Sequence, residues 1–195
     1  MDNDNNAYND IKVIKDCGER AARLTKQLLG FSRKQIAEKI NVDLNKTITE
    51  LEKMLRRLIG EEITLETDLQ SSSCTIFADK SQIEQVLVNL VVNARDAIEG
   101  FGKIIVSTTK ESLTDEFVKR YELNNSNEYI IISVIDTGTG MSEEVQKKIF
   151  EPFFTTKEVN KGTGLGLSTV FGIVKQNDGV ILVESEEGKG TEFKI

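Results

Sequence analysis

The chain has 195 residues, 38% hydrophobic and 29% charged, which suits one globular domain plus an extra element. Its formal net charge of −7 excludes a nucleic-acid binder working through a basic face, yet permits a nucleotide site with local positive potential. It contains no histidine, which excludes a histidine base, a zinc site with histidine ligands and a histidine phosphoacceptor among these residues.

No apolar run approaches the roughly 18 residues of a membrane span, and the polar start MDNDNNAYND carries no signal-peptide pattern, so a soluble, cytoplasmic chain is expected. Over residues 10–35, Ile14, Cys17, Ala21, Leu24, Leu28 and Phe31 recur every three or four positions, one narrow apolar stripe on a helix. Such a stripe suits a helical bundle or a dimer, the alternative being a helix folded back on its own domain. Cys17 and Cys74 lack metal-site spacing and read as small buried apolar residues.

Further on, the pattern predicts a short strand near 39–43, then a helix near 44–59 with Leu44, Ile48, Leu51, Leu55 and Leu58 inward, closed by Gly60. EITLETDL alternates as a strand, and CTIFAD is a second short one. A helix follows, with Asp79 as N-cap, Gln82 as its capping-box partner and an end at Gly100. KIIVSTTKE (103–111) and YIIISVID (129–136) read as neighbouring strands around a surface insert at 112–128. A short helix at 142–149, a glycine-rich stretch, a helix at about 165–176, an Asn177-Asp178-Gly179 turn and the strands VILVES and TEFKI complete the chain. The order predicts an α+β fold, a two-layer α/β sandwich preceded by a long N-terminal helix, rather than a regular alternating sheet.

One face of the 80–99 helix is apolar (Ile83, Leu87, Leu90, Ala94, Ile98) while another carries Gln82, Gln85, Asn89, Asn93 and Asp96. Asn89 and Asn93 lie one turn apart, placed either for their amides or as part of a solvated face; an amide oxygen suits one position on Mg²⁺. DTGTGM (136–141) follows a strand end, where Asp136 either starts a plain turn or accepts from an exocyclic amine. FEPFFTTK (150–157) is either aromatic core or a lid ending in Thr-Thr-Lys. KGTGLGLS (161–168) has neither Walker nor dinucleotide-fingerprint spacing, and GKGT (188–191) reads as a hairpin turn.

In order, Gln85-x3-Asn89-Leu90-x2-Asn93-Ala94, Asp136-x-Gly138-x-Gly140, Phe150-Glu-Pro-Phe-Phe, Gly162-Thr-Gly-Leu-Gly166-Leu-Ser and Gly188-x-Gly190-Thr191 resemble the nucleotide-binding boxes of the histidine-kinase ATPase family. The chain is similar to the catalytic and ATP-binding domain of bacterial two-component sensor histidine kinases over about residues 37–195. ERAARLTKQLLGFSRKQ (19–35) looks like the second helix of the dimerisation and histidine-phosphotransfer domain. Residues 1–36 are therefore expected to be the remnant of that hairpin, the whole being a piece of a longer kinase, the cytoplasmic part of a membrane-bound sensor included.

The resemblance implies a Bergerat fold with ATP between the helical layer and a mobile lid. It implies Mg²⁺ on Asn93 with Asn89 nearby, the adenine amine on Asp136, Gly138 and Gly140 lining the base pocket, and Thr191 supporting the base through water. Lys157 and the stretch Gly162, Thr163, Gly164, Leu165, Gly166 and Leu167 would meet the phosphates, consistent with a glycine-rich turn entering a helix N-terminus. Implied partners are ATP or ADP, a histidine-bearing dimerisation domain, a response-regulator receiver domain, and a second copy through the N-terminal helix.

Hydrolytic relatives place a carboxylate one turn before the metal-binding asparagine, as general base for water. Here that residue is Asn89, which favours transfer to an imidazole, whose nitrogen already offers a lone pair. The alternatives are a non-catalytic nucleotide-binding module or an ATPase of the same superfamily. Asp96 is a departure, standing where many relatives have a basic residue.

Overall fold

Leu44, Ile48, Leu51, Leu55 and Ile59 return every three or four residues, and in the computed structural model all are buried on one face of a helix, α1 (Leu44–Ile59). The Asp43 side chain caps it by accepting from Lys46 N at 3.1 Å, and Gly60 ends it at φ 84°. The last turn corrects the expected stripe: Ile59 is inside and Leu58 is 36% exposed, because a 3.6-residue period carries the buried face from Leu55 to the fourth residue on. Each fully buried side chain of this type contributes roughly 1.5–3 kcal/mol, so a truncation such as Leu55→Ala would unseat the helix.

The structure describes residues 18, 38–70, 72–123, 128–157 and 162–195. The chain divides into two units, 1–37 and 38–195, and the architecture below is that of the second. Apart from residue 18, the expected helix over 10–35 lies outside the described residues, as do Cys17 and Lys161.

Strands β1 (Ile40–Asp43) and β3 (Thr75–Ala78) pair antiparallel as a separate two-stranded sheet. The main sheet has the order β2-β4-β5-β7-β6, formed by β2 (Ile63–Leu69), β4 (Gly102–Glu111), β5 (Tyr129–Asp136), β6 (Leu182–Glu186) and β7 (Gly190–Lys194). Only β2 and β4 run parallel; the other neighbours are antiparallel. Alternation sends Leu65, Ile104, Val106, Ile132, Val134 and Phe193 to one buried face, and the helices cover it. The other face carries charges, including Lys103 on Glu66 and Lys194 on Glu184. This is the expected two-layer α+β sandwich.

Helix α2 (Lys80–Ala97) is the centre of the helical layer, packed against α1 on one side and α5 (Gly166–Gln176) on the other, and lying over β5. Ile83, Val86, Leu87, Leu90, Val91 and Ala94 face the core. The expected capping box forms only in half. Asp79 Oδ1 accepts from Ser81 N and Gln82 N, whereas the Gln82 amide is engaged with Gln176 and Asn177 at the end of α5. The helix also stops at Ala97 rather than Gly100, with Ile98 extended at φ −90°, ψ 123°; the Ala97 carbonyl accepts instead from Thr139 N at 2.9 Å.

The insert between β4 and β5 contains a short helix, α3 (Asp115–Arg120), capped by Thr114, and α4 (Glu143–Gln146) is a single turn capped by Ser142. Cys74 is fully buried, as expected. Among the described residues no helix is long and apolar enough to cross a membrane.

Candidate functional site

Sheet register places Asp136 at the end of β5 opposite Thr191 of β7, and Thr191 opposite Ser185 of β6. Directly paired residues project to the same face, so the three side chains form a row. Asp136 is 5% exposed and Thr191 6%. Asp136 Oδ1 accepts from Gly138 N at 2.8 Å. Burial pushes the Asp136 carboxyl above its ordinary value, and the backbone N–H groups of Gly138 and Thr191 offset part of the rise. The group is an acceptor held in a dry place with little compensation, which favours a donor ligand.

The loop after Asp136 is fixed from several sides. Thr137 N donates to Lys103 O at 3.2 Å, Thr139 N to Ala97 O at 2.9 Å, and Gly188 N to Thr139 O at 2.7 Å. Met141 N donates to Ser185 Oγ, while Gln146 Nε2 reaches both Met141 O and Ser185 O, each at 2.9 Å. Gly140 sits at φ +66°, where a Cβ would overlap the Glu186 carbonyl, so the turn needs glycine.

Across from this loop, the start of α5 faces α2. A Cβ on Gly166 would lie 3.5 Å from Asn93 Nδ2 and 3.9 Å from Asn89 Oδ1, so both asparagines are turned toward the helix start rather than spread over a solvated face. No side chain caps α5 at Leu165, which leaves its first N–H groups to face whatever enters. Gly162 lies against Thr155 Oγ1, Thr163 Oγ1 accepts from Leu165 N at 3.4 Å, and Leu167 is partly buried. Gly164, at φ +66°, packs on the backbone of Phe153, whose N–H donates to Gly164 O at 2.9 Å. The phenylalanines divide: Phe150 and Phe154 pack on the core while Phe153 is 66% exposed.

Lys157 Nζ is bound to Asp96 Oδ2 at 2.6 Å, and the Arg95 guanidinium holds the other oxygen of Asp96 as well as Leu58 O. Burial pushes the Asp96 carboxyl up, but the hydrogen bonds and charges of Lys157 and Arg95 together outweigh it and hold the group below its ordinary value. The cation expected at the phosphates is therefore paired with an acid one turn beyond Asn93.

Sequence reasoning missed Ser185 and Gln146, which carry no motif. The pairing of Ser185 with Thr191 follows only once the 188–190 hairpin fixes the register. A cavity of about 430 Å³ lined by Leu113, Phe117, Tyr129, Ile131 and Leu182 shares no residue with this site.

A buried acceptor at a strand end, a glycine loop beside it, and a glycine-started helix facing two amides define a nucleotide-binding α/β sandwich. The chain belongs to the histidine kinase-, DNA gyrase B- and HSP90-like ATPase family, which matches residues 78–195, and the fold is that family's ATP-binding fold. It is 47% identical over 189 residues to the sensor kinase CckA of Brucella abortus, 97% of this chain and 20% of that protein. It is 33% identical over 192 residues to sporulation kinase A of Bacillus subtilis, 98% of this chain and 29% of that protein. The chain thus spans well under half the length of these relatives. Among solved structures, the catalytic domain of the histidine kinase ThkA matches 80% of this chain and 93% of its own, with 32% identity and a TM-score of 0.59. A complex of ThkA with the response regulator TrrA matches all of this chain and 52% of the kinase chain, with 27% identity and a TM-score of 0.67.

Proposed function

We propose that the chain is the ATP-binding catalytic part of a sensor histidine kinase, which positions Mg-ATP for γ-phosphoryl transfer to a histidine outside these 195 residues. The observation that carries this reading is the pair Asn89 and Asn93 turned toward the start of α5, with no carboxylate one turn before Asn93. An amide cannot take a proton from water, so hydrolysis lacks its base, whereas an imidazole nitrogen attacks without one.

In this reading Asp136 accepts from the adenine amine, Gly138 and Gly140 let the base approach, and Thr191 supports it through water. Gly162, Thr163, Gly164, Leu165, Gly166 and Leu167 present backbone donors to the phosphates, and Lys157 exchanges Asp96 for a phosphate oxygen. Among the described residues no group of three or more His, Cys, Asp or Glu side chains could hold a metal. The Asn93 amide, turned toward the start of α5, would offer Mg²⁺ one oxygen ligand, with phosphate oxygens and water filling its other positions. When bound, the ion neutralises charge on the phosphates. The protein contributes position and electrostatics rather than a covalent nucleophile. Residues 1–36 belong to the histidine-bearing hairpin and 37–195 to the catalytic domain, with a response-regulator receiver domain as the next acceptor, a second copy joined through the N-terminal helix, and a cytoplasmic location.

Calorimetric titration with ADP and ATP, with and without Mg²⁺, tests the site. Binding with a magnesium-dependent part that Asn93→Ala removes is expected; no nucleotide binding by the wild-type chain would falsify the assignment.

A further inference from the structure

Ser185 Oγ makes contacts that together decide which way its neighbour's proton points. Met141 N donates to it at 2.9 Å, it lies 3.0 Å from Gly190 O, and it lies 2.9 Å from Thr191 Oγ1. A carbonyl only accepts, and a serine hydroxyl has one proton and two acceptor sites. Only one placement of the two hydroxyl protons makes all three bonds: Ser185 donates to Gly190 O, and Thr191 donates to Ser185. Thr191 Oγ1 is then left with lone pairs alone on its remaining side. Thr191 stands beside Asp136, a second group without a proton to give when ionised, on the same face of the sheet.

We propose that Ser185 is a specificity-determining residue: by taking the Thr191 proton it makes the edge formed by Asp136 and Thr191 read a 6-aminopurine and reject a 6-oxopurine. The proposal rests on the nucleotide site described above. A base amine donates to Asp136, where a 6-oxo group would face lone pair to lone pair. A water held by Thr191 must give it one proton; Asp136 already accepts from the backbone N–H groups of Gly138 and Thr191 and from the base amine, which leaves the water's other proton for the base. There adenine N1 has a lone pair and hypoxanthine N1 has a hydrogen. Ser185 does not touch the base in this scheme; it acts through Thr191 as a positioning residue.

The test is the ratio of ADP to IDP affinity, measured by calorimetry on the purified chain. Ser185→Ala is expected to lower that ratio roughly two- to tenfold, the worth of one hydrogen bond. Ser185→Thr, which keeps the hydroxyl, should restore it, and Ser185→Ala in a Thr191→Val background should leave it unchanged. If Ser185→Ala weakens both nucleotides equally, or leaves both unchanged, the proposal is overturned and the residue only supports the 137–141 loop. A wild-type chain that binds neither nucleotide overturns the site reading itself.

Discussion

Replacing Asp136 by asparagine should separate binding from folding, because burial makes the carboxylate costly to the fold while the proposed adenine contact needs it. Gly138 N–H donates to Oδ1 at 2.8 Å, so the variant's amide keeps its oxygen there and turns its NH₂ toward the place of the adenine amine. Donor then meets donor in a site 5% exposed. A hydrogen bond to a charged group contributes roughly 1.5–3 kcal/mol, and the opposed donors put the loss at the upper end, about 100-fold in affinity for ADP. For stability the sign is the reverse. A carboxyl whose folded pKa is raised by burial stabilises fully below its unfolded pKa and loses that contribution as pH rises through the folded value. At neutral pH the ionised group therefore costs stability, and Asp136→Asn should melt no lower than wild type. The same shift makes ADP affinity weaken as pH falls through the raised Asp136 pKa, and the variant, titrated alongside, subtracts the nucleotide's own protonation. Calorimetry across pH with parallel thermal melts reads all of this. Wild-type affinity in the variant, or identical pH profiles for the two proteins, would mean that Asp136 does not hold the base.

Asp96→Asn releases Lys157 from its 2.6 Å pair, so ATP affinity should rise roughly two- to fivefold, with adenosine affinity unchanged and stability altered by less than about 1 kcal/mol; weaker ATP binding in a titration would contradict this. The depressed Asp96 pKa means that this pair stabilises above the unfolded value and is lost as pH falls through the folded one, so the melting difference between Asp96→Asn and wild type should shrink on acidification. Gly140→Ala forces a Cβ onto the Glu186 carbonyl at φ +66°, about 2 kcal/mol of strain, which should lower Tm by roughly 4–8 °C; an unchanged melt would show that the loop relaxes.

The elements were legible because their signals are local. The stripe of α1, the cap of α2 at Asp79, the alternation of β2 and the apolar run of β5 each need only a few neighbours in sequence. What escaped depends on contacts between distant segments. Gln82 stands where a capping box needs it, but the end of α5, 94 residues on, supplies partners for its amide. Helix α2 stops at Ala97, whose carbonyl accepts from Thr139 N of the 137–141 loop. Lys157 and Asp96 each stand out in the sequence, but their pairing across 61 residues does not. Ser185 and Gln146 belong to no spacing rule, and their roles appear only when the register of β6 and β7 is known.

Incubating the chain with radiolabelled ATP and a separate polypeptide that supplies a histidine-bearing hairpin shows whether the bound nucleotide gives up its γ-phosphate to an imidazole. Label is expected on the hairpin, in acid-labile and base-stable form as phosphohistidine requires, with none on the chain itself, which has no histidine to accept it. ATP bound by the chain without any transfer to the hairpin, or turned over to ADP with no label on it, would mean that the chain is not the catalytic part of a histidine kinase.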